Sequence, residues 1–330
     1  MPLRIVFCGT PAFAVPSLRH LNAQSDFEIV GVVTQPDRPR GRGQEVGVSA
    51  VKAAAIDLGL AVYQPEKIKS SEAFEYFQRL APDAVVIIAY GQIISRRLID
   101  IPRLGWINLH ASLLPKYRGA APINWAIING ESRTGVTTMQ IDAGLDTGPM
   151  LLRCEMEIGR EETAPELTTR LAEAGAPLVA DTLRKLDRGQ IPPVPQIASE
   201  ATYSPPLRKQ DGRIDWQLSA QHIYNQIRGL DPWPGAFTAF RGKTCRIWGR
   251  PLAADDFSKW SDAESHLSTE VWMPTDAPGA IRRRDSLLYV RCGDSGGLVL
   301  TFVQLEGRKR VTTGEFANGA RLTPSDRFGQ

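Results

Sequence analysis

At 330 residues, 42% hydrophobic and 23% charged, the chain is long enough for two domains and has the composition of a globular protein with a sizeable core. Net charge is only +3, with 21 Lys/Arg against 22 Asp/Glu in residues 1–206 and 18 against 14 in 207–330, which excludes polyanion binding by bulk charge alone. Cys8, Cys154, Cys245 and Cys292 stand far apart without CxxC spacing. That argues against a zinc site or disulfide framework and predicts a reducing compartment. No signal-peptide pattern and no apolar run of about 18 residues occurs, so a soluble, cytoplasmic protein without membrane contact is predicted.

Leu3–Gly9 is a continuous apolar run and predicts a buried parallel strand. Helical spacing follows to Leu21, with Pro11 at its start. Strands at Phe27–Val33, Ala61–Tyr63 and Ala84–Ala89 alternate with helices over Ala50–Leu58 and Glu72–Leu80. That alternation predicts an α/β fold with a Rossmann-like, doubly wound parallel sheet. The first turn, Gly9-Thr10-Pro11-Ala12-Phe13-Ala14, has one glycine where a dinucleotide fingerprint has three, and no Walker A pattern occurs. NAD, FAD and ATP are therefore not expected there. Between the second strand and helix, Thr34–Gln44 places Arg38, Arg40 and Arg42 on a Pro/Gly frame. It is either a solvated loop or one that closes on a large anion.

Gly105–Pro122 reads GWINLHASLLPKYRGAAP. Period two puts Asn108 and His110 on one strand face and Ile107 and Leu109 on the other. A strand that ends on an amide and an imidazole and passes into a Gly/Pro loop marks where α/β sheets keep ligands. A buried, hydrogen-bonded His is the plainer alternative. After a strand through Met139 and Ile141 comes Asp142-Ala143-Gly144-Leu145-Asp146-Thr147-Gly148. It lacks the remaining ligands of a calcium loop, leaving a plain turn or a carboxylate, Asp146, that orients or protonates His110.

Glu166–Leu186 has helical spacing, and the Pro-rich run after Gly189 predicts an extended linker over 190–206 between domains of 1–189 and 207–330. Short β-runs at Phe237–Phe240, Cys245–Trp248, Leu287–Cys292 and Leu298–Leu305 predict a small OB-like β-barrel. Arg208, Lys209, Arg282–Arg284 and Arg308–Arg310 are basic spots beside it, either solvated turns or nucleic-acid contacts.

These residues resemble the methionyl-tRNA formyltransferase family over nearly the whole length. The resemblance runs through FCGTPAFAVPSL, QPDRPRGRG, IIAYGQI, INLHASLLPKYRGAAPI, GVTTMQIDAGLDTGPML, ATYSPPLRKQDGRIDW, DPWPGAFT, LEGRKR and GARLTPSDRF. Asn108, His110, Asp146 and SLLP mark folate-dependent formyltransferases as a class; the arginine loop and C-terminal barrel narrow it to the tRNA enzyme. The resemblance implies formyl transfer from 10-formyltetrahydrofolate to the α-amino group of methionyl initiator tRNA for translation initiation, without a metal or protein partner. It implies Asn108, His110 and Asp146 as the catalytic set. Ser112, Leu113, Leu114, Pro115, Ile88, Ala89, Tyr90, Gly91, Gln92 and Asp142 would line the folate pocket, and Arg38, Arg40, Arg42, Arg208 and Lys209 would hold tRNA. Leu252–Thr275 is longer and more acidic than such proteins usually carry. Alternatives are formylation of an amino sugar, hydrolysis of formyl-folate, and an RNA-binding module without catalysis.

The chemistry points the same way. Formyl transfer to an amine passes through a tetrahedral intermediate, which an Asn N–H stabilises at its oxyanion. A base–acid pair then moves one proton from the amine to the departing nitrogen. No Ser or Cys is placed as a nucleophile, so direct transfer is expected.

Overall fold

Buried β-strands carry the first part of the chain. The computed structural model describes residues 1–40, 45–253, 276–294, 296–323 and 325–330, with only the backbone of 39, 40, 45 and 46. The chain divides into two units, Met1–Ile123 with Ser132–Gly159 and Glu166–Pro205, and Asn124–Glu131 with Arg160–Pro165 and Pro206–Gln330.

In the first unit, β1 (Leu3–Gly9), β2 (Phe27–Val33), β5 (Val62–Tyr63), β6 (Ala84–Ile88) and β7 (Trp106–His110) run parallel. β9 (Arg133–Gln140) and β10 (Met150–Glu157) extend the sheet antiparallel, giving the order β10-β9-β7-β6-β1-β2-β5. All five β6 residues are buried, as expected of a strand covered on both faces. The order reverses direction between β1 and β6, so a crevice opens beyond their C-terminal ends. Thr10 Oγ1 donates to the Tyr90 carbonyl at 3.1 Å across it.

Helix starts follow their caps. Ser49 accepts from Lys52 N at 3.0 Å to begin α2 (Ala50–Asp57), and Ser70 accepts from Ala73 N at 3.2 Å to begin α3 (Ser71–Leu80). Pro11 precedes a 3-10 turn over Ala12–Ala14, and the α-helix proper runs Val15–Asn22. A helix over Ala164–Asp187 packs on β7: a Cβ on its Gly175 would lie 2.4 Å from Leu109 Cδ2. Ile107 and Leu109 therefore face that helix, and alternation sends Asn108 and His110 to the opposite face.

Two stretches differ from the sequence expectation. The basic segment after β2 is not loop throughout, because β3 (Arg38–Arg40) pairs antiparallel with β4 (Glu45–Gly47). Within 190–206, expected as an extended linker, the chain makes backbone pairs with the first unit. Val194 and Met150 exchange backbone hydrogen bonds at 2.8 Å, and β11 (Tyr203–Ser204) pairs with β8 (Arg118–Gly119). Proline spacing signals an extended chain but not whether its carbonyls and side chains find partners.

The second unit is built on an antiparallel sheet. β12 (Phe237–Phe240), β13 (Lys243–Pro251), β16 (Gly297–Leu305), β15 (Leu287–Arg291) and β14 (Ile281–Arg284) lie in that order, with β17 (Val311–Thr312) on β16. Its core joins Ile223, Ile247, Leu288, Leu300, Val303 and Phe316. Trp216 stacks on Phe328 at 5.8 Å and donates Nε1–H to Thr238 at 3.0 Å. Residues 124–128 belong here too: Asn124 donates to the Gly229 carbonyl at 2.7 Å at the end of the Ala220–Gly229 helix. Cys8, Cys154, Cys245 and Cys292 are free thiols; burial pushes Cys245 and Cys292 up to about 12. No described helix is long and apolar enough to cross a membrane. The 252–275 segment singled out in the sequence lies, beyond Ala253, outside the described residues.

Candidate active site

β7 delivers Asn108 and His110 to the C-terminal edge of the sheet, 9% and 6% exposed. The strand is fixed at its start by Trp106, fully buried, whose Nε1–H donates to the Leu98 carbonyl at 2.8 Å. Antiparallel pairing with β9 sets His110 opposite Thr137 and Asn108 opposite Met139.

His110 Nε2 lies 2.9 Å from the Tyr117 carbonyl oxygen. A carbonyl only accepts, so Nε2 carries the hydrogen, and Nδ1 is the basic nitrogen of the neutral ring. Nδ1 faces Asp146 Oδ2 at 3.7 Å. That is beyond a direct hydrogen bond. The same Oδ2 accepts the Gly119 N–H at 2.8 Å. The Asn108 carboxamide hydrogen-bonds no other described residue, so its N–H groups remain available to a ligand.

Backbone strain collects around these groups. Tyr117 and Asp146 are non-glycine residues at φ +59° and +51°, and Ala89, at the end of β6, is at +47°. The left-handed region costs such residues about 1–2 kcal/mol each. Residues in it cluster at sites where surroundings over-determine the backbone.

The expected pocket residues fall into two groups. In SLLP, Ser112 is fully buried and donates to the Lys116 carbonyl at 2.6 Å, while its own carbonyl accepts from Thr137 Oγ1 at 2.7 Å. Leu114 N–H donates to the same Thr137 oxygen at 3.2 Å, and Leu113 packs near Gly135. The Leu114–Pro115 bond is cis. The loop is thus held by its main chain against β9.

At the crevice, Ile88 is fully buried and Ala89 and Gly91 are exposed. The Tyr90 ring is turned into the core, 2% exposed, and burial pushes its hydroxyl pKa far up. What Tyr90 offers the crevice edge is its carbonyl, which accepts from Thr10 and, at 3.0 Å, from Gln35. Gln92 spends its amide on the fold, accepting from Ile68 N–H at 2.7 Å and donating to Gln35 at 3.3 Å. Asp142 staples its own turn, accepting from Gly144 N–H at 2.9 Å and Thr147 Oγ1 at 2.8 Å.

Of the arginine loop, Arg38 is exposed on β3, the side chain of Arg40 is not described, and Arg42 lies outside the described residues. Its base is anchored: Lys52 pairs with Asp37, and Gln64 donates to Asp37 at 3.0 Å and to the Gln35 carbonyl at 2.8 Å. In the second unit, Arg208 and Lys209 are exposed at a 3-10 turn over Lys209–Gly212. Arg282 is paired with Asp276, and Arg310 stacks between Trp248 and Phe302 at 4.2 and 4.1 Å from their ring centres.

Sequence reading passed over three groups in contact with this site. The Tyr117 carbonyl and Gly119 N–H are main-chain atoms, which residue types do not advertise. Gln196 lies in the stretch read as linker, and its Nε2 donates to the Asp146 carbonyl at 2.8 Å. Among the described residues no cluster of His, Cys, Asp and Glu could hold a metal ion.

Residues 3–183 match the family model described as formyl transferase, and 206–321 match the formyl transferase C-terminal domain. Over 329 residues the chain is 51% identical to the methionyl-tRNA formyltransferase of Solibacter usitatus, covering 99% of each chain. It is 50% identical to the methionyl-tRNA formyltransferase of Koribacter versatilis, over 99% of this chain and 98% of that one. Among solved structures, WlaRD, a sugar 3N-formyl transferase crystallised in the presence of dTDP and 5-N-formyl-THF, is similar with a TM-score of 0.64. At 19% identity, over 94% of this chain and 100% of that one, the likeness is one of fold.

Proposed function

The chain belongs to the formyl transferase family, among its methionyl-tRNA formyltransferases, and we propose that it moves the formyl group of 10-formyltetrahydrofolate to the α-amino group of methionyl initiator tRNA. The observation that carries the reading is the His110–Asp146 pair, 3.7 Å apart beside an uncommitted Asn108 amide, in a chain that matches the formyl transferase models over 3–183 and 206–321.

The amine nitrogen adds to the formyl carbon and the carbonyl electron pair moves to oxygen. Asn108 N–H donates to that oxyanion. Neutral His110, with Nε2–H committed to Tyr117 O, takes the amine's proton at Nδ1, and the Asp146 carboxylate stabilises the imidazolium. Collapse breaks the bond between the formyl carbon and N10, and the proton passes from His110 to that nitrogen, giving tetrahydrofolate. One proton leaves the amine and one reaches the leaving group, so no enzyme-bound formyl intermediate is needed.

Folate would lie in the crevice between Ile88–Gln92 and Ser112–Pro115, edged by the turn that Asp142 closes. Arg38, Arg40 and Arg42 are assigned to the tRNA acceptor end, and Arg208 and Lys209 to its stem. The C-terminal antiparallel sheet is read as an OB-like barrel, and the site of action as the cytoplasm.

The acceptor is tested by offering 10-formyltetrahydrofolate with either methionyl initiator tRNA or an amino-sugar nucleotide, at rising salt. Transfer to the tRNA that falls steeply with salt, as phosphate contacts demand, supports the reading. Salt-insensitive transfer to the amino sugar, with none to tRNA, overturns it.

A further inference from the structure

We propose that Gln196 is a positioning residue for formyl transfer, its carboxamide holding the Asp146 main chain in the conformation from which the carboxylate reaches His110 and Gly119. The inference rests on the reading of Asp146 given above.

Gln196 uses every hydrogen-bonding position its side chain has. Nε2 donates to the Asp146 carbonyl at 2.8 Å and to the Gly148 carbonyl at 2.7 Å. Oε1 accepts a fork from Arg118, at 3.0 Å from Nε and 2.8 Å from Nη2. Arg118 is itself 5% exposed on β8. The residue after it, Gly119, gives its N–H to Asp146 Oδ2 at 2.8 Å.

The contacts close a ring: from the Asp146 carbonyl through the Gln196 amide to Arg118, along the chain to Gly119, and back to the Asp146 carboxylate. Main chain and side chain of Asp146 are thus fixed by the two ends of one arrangement. That answers the strain at Asp146, whose φ of +51° needs its surroundings to hold it there. Carbonyl and carboxylate must stay where they are for Oδ2 to face Nδ1 of His110.

The ring also selects the residue type. Two carbonyls on one side require two N–H donors, and a guanidinium on the other requires an acceptor. Glutamate would keep the Arg118 fork but turn an oxygen toward both carbonyls. Methionine has similar length and offers neither. Comparison of the two variants separates anchoring of Arg118 from placement of Asp146.

The test is steady-state transfer from 10-formyltetrahydrofolate to methionyl initiator tRNA by full-length Gln196→Met and Gln196→Glu. Both should lose roughly 10–100-fold in kcat, with KM for the folate donor within about threefold of wild type. Gln196→Glu should melt closer to wild type than Gln196→Met does, because its pairing with Arg118 survives. In an Asp146→Ala background, Gln196→Met should cost less than about threefold, because residues that act through one another are not additive. Full multiplication of the two losses, or a KM rise at unchanged kcat, overturns the proposal. Hydrogen exchange at the Gly119 amide, read by mass spectrometry, needs no turnover. It should quicken about tenfold or more in Gln196→Met, and unchanged exchange overturns the clamp. If wild type fails to formylate methionyl-tRNA, the functional reading falls, and the exchange result alone decides on Gln196.

Discussion

Nδ1 of His110 faces Oδ2 of Asp146 at 3.7 Å, while the ring's other nitrogen lies 2.9 Å from the Tyr117 carbonyl. The imidazole is oriented from one side and electrostatically supported from the other. The side facing the carboxylate is the one with a lone pair to offer. His110→Ala should therefore lose about 10²–10⁴ in kcat, the range for a positioned acid–base group. Single-turnover transfer measures it directly, and a loss under about tenfold would remove the ring from proton transfer.

Asn108 stands on the same strand face with no described partner for its carboxamide. An oxyanion donor acts after the ground state, so Asn108→Ala should drop kcat by roughly 10²–10³ and leave donor KM nearly unchanged. A rise in KM at constant kcat would assign Asn108 to ground-state binding instead.

Gly119 is a place where a methyl group has nowhere to go. Its φ is +117°, and an added Cβ would lie 2.7 Å from the Ser204 carbonyl across the β8–β11 pair. Gly119→Ala should push the two strands apart and draw its N–H off Asp146. A fall of at least about tenfold in kcat is expected, with a lower melting temperature. Wild-type kcat in this variant would show that the Gly119–Asp146 contact is dispensable.

Asp326 in the second unit links stability to pH. The hydrogen bond from Arg241 is the main cause that lowers its carboxyl to about 2, and Thr323 N–H adds to it. A carboxyl depressed in the folded state contributes its stability above the unfolded value, and loses it as pH falls through the folded one. The contribution should be complete at pH 7 and fade between about pH 4 and pH 2. Asp326→Asn should thus melt below wild type at pH 7, and the two curves should converge near pH 2. A constant gap across that range would place the effect elsewhere.

The parallel sheet was legible because β1 and β6 are continuous apolar runs and the helices between them carry 3.6-residue spacing. Asn108 and His110 were legible because strand alternation is strict, and the Gly175–Leu109 contact puts the apolar partners where that alternation requires. Asp146 reads equally as a turn residue or a carboxylate beside His110, since Asp and Gly suit both; proximity to His110 is a tertiary fact. The pairing of β3 with β4 was hidden by three arginines, a proline and glycines, which read as loop. The 190–206 stretch reads as an extended linker for a similar reason. Its prolines and exposed apolar side chains (Val194 and Ile197 are 50% and 57% exposed) resemble a linker, and nothing local tells that Gln196 has two carbonyls and a guanidinium to satisfy. Tyr90 and Gln92 sit at the crevice, but their side chains serve the core and neighbouring loops.

The most direct measurement is formyl transfer itself: purified protein, 10-formyltetrahydrofolate labelled in the formyl group, and methionyl initiator tRNA, with label counted on the methionine after quench. Label is expected on the α-amino group, lost in His110→Ala and strongly reduced in Asn108→Ala, with none trapped on the protein. Label covalently held by the enzyme, or transfer that survives His110→Ala, would contradict the mechanism.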